Sequence, residues 1–426
     1  MAETMFERRD FLRALIALGL AGTFPASALA RAAGGDWPLV QALLDSLAPA
    51  KLPGLAGAIG KGTAPADFLF AGTLAKDSTV KIDADTLWRV YSMTKPITGM
   101  AAMMLIEDGK LRLDQNIADF IPGFAAPKVL VDPERSLESR PAKGPITVRN
   151  LLTHTAGLGY SIITKGPLLD AYNRLGILPA QLSRQKMPGA PDFPTAPSLA
   201  EFADRLATLP IIADPGTKWS YSVSLDLLGR VIELASGKSF DAFLQERIFD
   251  PLGMTSTYWQ VPASEAHRLV TNHFAIAIGL IPIDPGATSI YLDKPAFPFG
   301  GAGLVMSARD YDRFLLMLAG QGAVEGKRIM KAETVRLGMS NLLAPGVDTA
   351  GTFAEGQGFG AGGRVTIKPT PGGQGMGTYG WGGAAATIAW VDPSRGIRGA
   401  GFAQYMPDSA FGFPKEFAKA VYADLA

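Results

Sequence analysis

Strand signals crowd the two ends of this chain and helical signals fill its middle, a distribution that few folds satisfy. Near the amino end, "GLAGAIG" (54–60) and "DFLFAGTLA" (67–75) read as strands, and "TLWRVY" (86–91) follows as a third. Toward the other end, residues 290–410 are glycine-rich and carry "ATIAWV" and "GIRGAGFAQYM" around the turn "DPSRG". A helix from Trp37 to Leu47 opens this part of the chain. Another closes it from about Pro414, with Phe417, Ala420 and Val421 on one face. Residues 110–290 read as mostly helical with long loops, and the proline-rich stretch 177–199 as an irregular loop. One sheet built from both chain ends, with a helical region inserted in it, is the architecture this predicts. The expected division is an α/β domain over 33–109 and 290–426 and a mostly helical domain over 110–289.

Composition narrows the function. Of 426 residues 47% are hydrophobic, enough for a large core, and the formal net charge is +1 without a long basic run, which argues against a nucleic-acid partner. The absence of cysteine excludes disulfides, thiolate metal sites, a cysteine nucleophile and cysteine lipidation. The three histidines, His154, His267 and His273, form no H-x-x-x-H or H-x-H pair, so neither a histidine-rich metal site nor any other cofactor is expected.

The first 32 residues read as an export signal. Arg8 and Arg9 precede Phe11 and Leu12, an apolar run of about a dozen residues follows, and small residues offer cleavage sites at Ala28-Leu29-Ala30 or Ala30-Arg31-Ala32. The twin arginines resemble the bacterial twin-arginine signal, which predicts a periplasmic or secreted protein. The run is short for a membrane span, which needs about 20 apolar residues.

"RVYSMTKPITG" (89–99) places Ser92 three residues before Lys95 and just ahead of a helical pattern, Ile97, Met100, Ala101, Met104 and Leu105. Two other S-x-x-K strings, Ser78 to Lys81 and Ser183 to Lys186, lack a following helix. Ser92 is therefore expected at a strand-to-helix junction, as a helix cap or as a nucleophile, with Lys95 one turn along on the same face. A serine hydroxyl attacks well only when a neighbouring base takes its proton, and a lysine or a phenol can be that base. Tyr221 in "PGTKWSYSVSLDLLG" (215–229) lies just before a second helical pattern ending at Gly237. In "TYGWGGAAATIAWV" (378–391), glycines around Trp381 read as a turn that lets backbone approach a ligand, with a strand edge after it. His154 reads as a structural histidine.

Together these segments resemble the serine β-lactamase and penicillin-binding-protein superfamily, and within it the class C-like family VIII carboxylesterases. "YSMTK", "ITVRNLLTHTAGLGY" (146–160), "PGTKWSYS", "IFDPLGMTST" (248–257) and "GGAGLVMSARDYDRFLLMLAGQG" (300–322) match family blocks in order, over about residues 37–424. The resemblance implies a β-lactamase-like α/β (α+β) fold with an antiparallel sheet. It also implies a small-molecule ester as substrate, Ser92 as nucleophile, and Lys95 with Tyr221 sharing the proton. The N–H groups of Ser92 and Ala384 would bind the oxyanion, and Trp381, Gly382 and Gly383 would line the substrate site. Two departures point away from β-lactams. Val223 stands where class C enzymes carry asparagine, and Trp381-Gly382-Gly383 stands in place of K-T-G. Both changes remove polar contacts and suit a neutral ester; a β-lactamase, a D-alanyl carboxypeptidase or an amidase or acyltransferase of the same fold are the alternatives. Asp226 is expected either to support the Tyr221 segment at the pocket or to be a surface carboxylate.

Overall fold

A computed structural model of the protein describes residues 36–185 and 193–426. The expected export signal and Lys186 lie outside them. The central sheet has seven strands, all antiparallel. The amino-terminal side gives β1 (Gly54–Lys61) and β2 (Asp67–Gly72). Among the strands outside this sheet are β3 (Leu87–Arg89), β4 (Asn272–Ile276), β5 (Gly279–Asp284) and β6 (Val305–Ser307); the carboxy-terminal side then gives β7 (Gln357–Phe359), β8 (Arg364–Thr366), β9 (Tyr379–Gly383), β10 (Thr387–Asp392) and β11 (Ile397–Phe402). The sheet order is β7-β8-β9-β10-β11-β1-β2, so β1 pairs with β11 and the two chain ends meet side by side, as the sequence predicts.

Both faces of this sheet are covered. Helix α1 (Pro38–Leu47) packs against the carboxy-terminal helix Phe413–Asp424 on one face, and helix Ala308–Ala319 lies on the other. This is why β1 reads as a continuous run of small and apolar residues without a polar alternation. Leu55 and Ile59 join the core under the two terminal helices, while Ala56 joins the main core.

α2 (Thr94–Glu107) departs from expectation. The sequence predicts an apolar stripe with a solvated back, yet every residue from Thr94 to Leu105 is buried. The helix is enclosed by α3 (Ser224–Ser236) and the helix Ala332–Gly338, and by β9 of the sheet. Ala102 and Met103, off the predicted stripe, are as buried as Met100. Burying a methionine or isoleucine side chain contributes about 1.5–3 kcal/mol, so this helix is a central stabilising element as well as the carrier of Lys95.

Three further elements differ from the expected ones. β3 pairs with a strand at Val305–Ser307 in a separate three-stranded sheet rather than joining the large one. The segment 272–284 forms a hairpin of Asn272–Ile276 and Gly279–Asp284, because Gly279 adopts φ +138° at its tip. The W-G-G segment is not a turn: Tyr379 to Gly383 form β9, and the turn lies just after it, where Ala386 has φ +61°. No helix among the described residues is long and apolar enough to cross a membrane.

Candidate active site

Arg89, the last residue of β3, is anchored before the chain turns. Its guanidinium pairs with Asp284 at 2.6 Å, donates to the Val270 carbonyl at 2.7 Å and to Ser289 Oγ at 2.9 Å, and is fully buried. The backbone then turns tightly through Tyr91–Met93. Tyr91 has φ +43°, a left-handed conformation that costs a non-glycine residue free energy. Its hydroxyl accepts from Asn272 Nδ2 at 3.1 Å and its ring meets Tyr291 edge-on, contacts that hold the strained residue in place. Ser92 sits on this turn, at the strand-to-helix junction. It is not the helix cap, which is Met93 without a side-chain cap bond. The Ser92 hydroxyl is left to other partners.

Those partners are Lys95 and Tyr221. One turn into α2, Lys95 Nζ donates to Ser92 Oγ at 3.2 Å and to the Gly301 carbonyl at 2.7 Å. The Tyr221 hydroxyl donates to the same Ser92 Oγ at 2.8 Å. The Trp381 indole N–H donates to the Tyr221 oxygen at 3.2 Å. Lys95 Nζ also lies 4.6 Å from the Tyr221 ring centroid, within cation–π range. Lys95 is fully buried and Ser92 is 8% exposed, so the cation works away from bulk water and its field is weakly screened. Two residues far apart in sequence, Lys95 and Tyr221, thus converge on the Ser92 hydroxyl oxygen, with Trp381 behind Tyr221.

β9 approaches the nucleophile from the other side. A Cβ on Gly383 would lie 2.3 Å from the Val90 carbonyl oxygen, so only glycine lets the strand come so near the Ser92 turn. Thr387 Oγ1 donates to the same carbonyl at 3.4 Å. Ala384 follows β9 and is exposed, whereas Trp381 is buried with its ring 5.5 Å from that of Tyr221. Val223 and Asp226, expected at the pocket, have no exposed surface: the Val223 N–H donates to the Gly159 carbonyl, and Asp226 is a buried carboxylate rather than a surface one.

Two neighbours, Tyr160 and Phe353, carried too weak a sequence signal to be singled out. Tyr160, the last residue of the quoted "LGY", stacks edge-on against Tyr221 at 4.9 Å, with Lys95 Nζ 5.4 Å from its ring. Burial holds its phenol well above the ordinary tyrosine range, so it stays neutral. Phe353 is 66% exposed yet meets Tyr221 at 5.5 Å and Trp381 at 5.9 Å. His154 lies 4.8 Å from the Tyr221 ring. Burial, and then the charge of Lys95, push its imidazole well below the usual histidine range. Its Nδ1 meets Ser222 Oγ at 3.0 Å and its Nε2 has no partner among the described residues. This neutral ring is wall rather than base.

Comparisons with known proteins bear on the family of the chain. Protein Rv1367c of Mycobacterium tuberculosis is 33% identical over 342 residues, 78% of this chain and 80% of its own. Lovastatin esterase of Penicillium rubens is 30% identical over 344 residues, 75% of this chain and 80% of its own. Among solved structures, EstCE1, described as a hydrolase with promiscuous acyltransferase activity, superposes with a TM-score of 0.74 at 25% identity, covering 93% of this chain and 99% of that one. The beta-lactamase family pattern matches residues 39–423, and the chain belongs to the beta-lactamase family.

Proposed function

We propose that the protein is a serine hydrolase that cleaves small to medium carboxylic esters through an acyl-enzyme on Ser92. One observation carries the reading: Tyr221 and Lys95 both reach Ser92 Oγ, at 2.8 and 3.2 Å. In the first step the Tyr221–Lys95 pair is one proton short, with Tyr221 as phenolate beside the Lys95 ammonium; Ser92 Oγ bonds to the ester carbonyl carbon and its proton passes to that pair. The Trp381 N–H bond to the Tyr221 oxygen strengthens when that oxygen carries negative charge, which suits Tyr221 as the acceptor. The N–H groups of Ser92 and Ala384 receive the developing oxyanion; one such donor is worth about 3 kcal/mol of transition-state stabilisation. The carbon–oxygen bond to the alcohol then breaks and the pair returns the proton to the leaving oxygen. Water, or a second alcohol, attacks the acyl-enzyme by the reverse sequence and frees Ser92.

The ester preference is supported by three things. Val223 and Trp381-Gly382-Gly383 replace polar residues that suit β-lactams, the walls by the nucleophile are aromatic, and relatives carry names of esterases and acyltransferases. Release to an alcohol, making the protein an acyltransferase, uses the same acyl-enzyme. The twin-arginine pattern of residues 1–32 supports export to the periplasm. The test is turnover of p-nitrophenyl butyrate by wild type and Ser92→Ala, with nitrocefin in parallel. Ester turnover lost in the variant, with little nitrocefin hydrolysis, is the expected result. Strong nitrocefin hydrolysis would replace the esterase by a β-lactamase.

A further inference from the structure

The buried carboxylate of Asp226 is not explained by the hydrolytic steps. It is fully buried, its Oδ1 accepts the Gly301 N–H at 2.8 Å, and its Oδ2 has no partner among the described residues. A half-satisfied buried carboxylate destabilises a fold, so its place beside the site calls for a reason. Gly301 supplies one. Its own carbonyl accepts the Lys95 ammonium at 2.7 Å, while the preceding Gly300 carbonyl accepts Thr98 Oγ1 at 2.7 Å. Asp226 from α3 and Thr98 from α2 thus grip the two ends of one peptide unit, and the next carbonyl along is the one that holds Lys95. A Cβ at Gly301 would lie 2.6 Å from Asp226 Oδ2, so the carboxylate rests directly on the glycine.

We propose that Asp226 is a positioning residue for Lys95: through Gly301 it fixes the carbonyl that receives the ammonium, and it supplies the negative charge that balances that ammonium inside the site. The inference rests on the reading of Ser92 and Lys95 above. The groups that face Asp226 are the Gly301 N–H, Lys95 of α2 and the neutral Tyr160 phenol. Burial pushes the carboxyl up to about 6, against the opposing pull of Lys95. The balancing charge is therefore present above that pH and withdrawn below it. His154, held neutral, adds no charge over the same range.

The experiment compares wild type, Asp226→Asn, Asp226→Ala and Ser92→Ala by kcat, KM and the pH profile of kcat/KM from pH 5 to 9, with thermal melting as the fold check. Asp226→Asn keeps an acceptor for Gly301 and removes only the charge. Its kcat is expected to fall at least tenfold with KM within threefold, and the wild-type acid limb near pH 6 should vanish from its profile. Asp226→Ala should lose more; if it does not fold, the Asn variant still decides. An Asn variant with wild-type kcat and an unmoved acid limb overturns the inference. Full activity in Ser92→Ala would instead overturn the reading beneath it, so the two failures are distinct.

Discussion

The indole N–H of Trp381 donates to the hydroxyl of Tyr221 at 3.2 Å, and that hydroxyl in turn reaches Ser92 Oγ at 2.8 Å. The sheet strand β9 is thereby tied to the nucleophile through the helical region. A hydrogen bond to a group that becomes charged is worth about 1.5–3 kcal/mol. Trp381→Phe keeps most of the apolar bulk and removes the donor. It should lower kcat by roughly tenfold or more, with KM for p-nitrophenyl butyrate within about threefold. A variant whose loss falls wholly in KM would assign Trp381 to substrate packing alone.

Gly383 permits β9 to lie against the Val90 carbonyl, 2.3 Å from where a Cβ would stand. Gly383→Ala must push the strand and Ala384 away from the Ser92 turn. Misplacement by about 1 Å can cost on the order of 100-fold in rate, whereas overpacking of this kind costs about 1–3 kcal/mol of stability. We expect a folded protein with a lower melting temperature and at least a tenfold drop in kcat/KM. Unchanged kcat/KM would show that this approach does not matter to the chemistry.

Much of the site was legible because its chemistry lies in short local strings. Ser92 and Lys95 share one turn, and Tyr221 precedes a helix with its own stop at Gly237, which adopts φ +73°. What escaped is held by long-range contact. Gly301 meets Lys95 across 206 positions and Asp226 across 75, so nothing local marks this glycine as part of the site. The glycines of β9 read as a turn because glycine weakens strands in general; here the close approach to Val90 requires it. α2 read as amphipathic because five apolar positions fit a stripe, yet after Lys95 its remaining positions through Leu105 are small or apolar residues and a hydrogen-bonded threonine, which bury equally well. The two-ended sheet was legible because its central strands β1, β10 and β11 are nearly continuous buried runs, a pattern that survives without any knowledge of their partners.

Asp226 also sets a stability prediction whose sign follows from its raised pKa. In the unfolded chain its carboxyl has the ordinary value of 3.8, and in the folded protein about 6. The folded state binds the proton more tightly, so the favourable contribution is complete below about 3.8 and is lost as pH rises through about 6. At pH 7.5 the ionised group therefore opposes folding. Asp226→Asn should raise stability there by roughly 1–3 kcal/mol and show little gain at pH 4.5, as read by urea unfolding at the two pH values. An equal effect at both would mean that the charge is not the cause.

Phe353 is mostly exposed, so its removal should cost little folding energy, yet its ring lies against Tyr221 and Trp381. Aromatic pairs contribute about 0.5–1.5 kcal/mol. Phe353→Ala should leave the melting temperature within about 3 °C and raise KM for an aromatic or long-chain ester by roughly threefold to tenfold, with a smaller effect on the acetate. Equal effects on both substrates would remove Phe353 from the specificity wall.

The central claim is that the acyl group passes through Ser92. The direct measurement is intact-protein and peptide mass after rapid acid quench of the enzyme with a p-nitrophenyl ester. The account predicts one added acyl mass, located on the peptide containing Ser92, and none in Ser92→Ala. An acyl mass on another residue, or full turnover by Ser92→Ala, would contradict it.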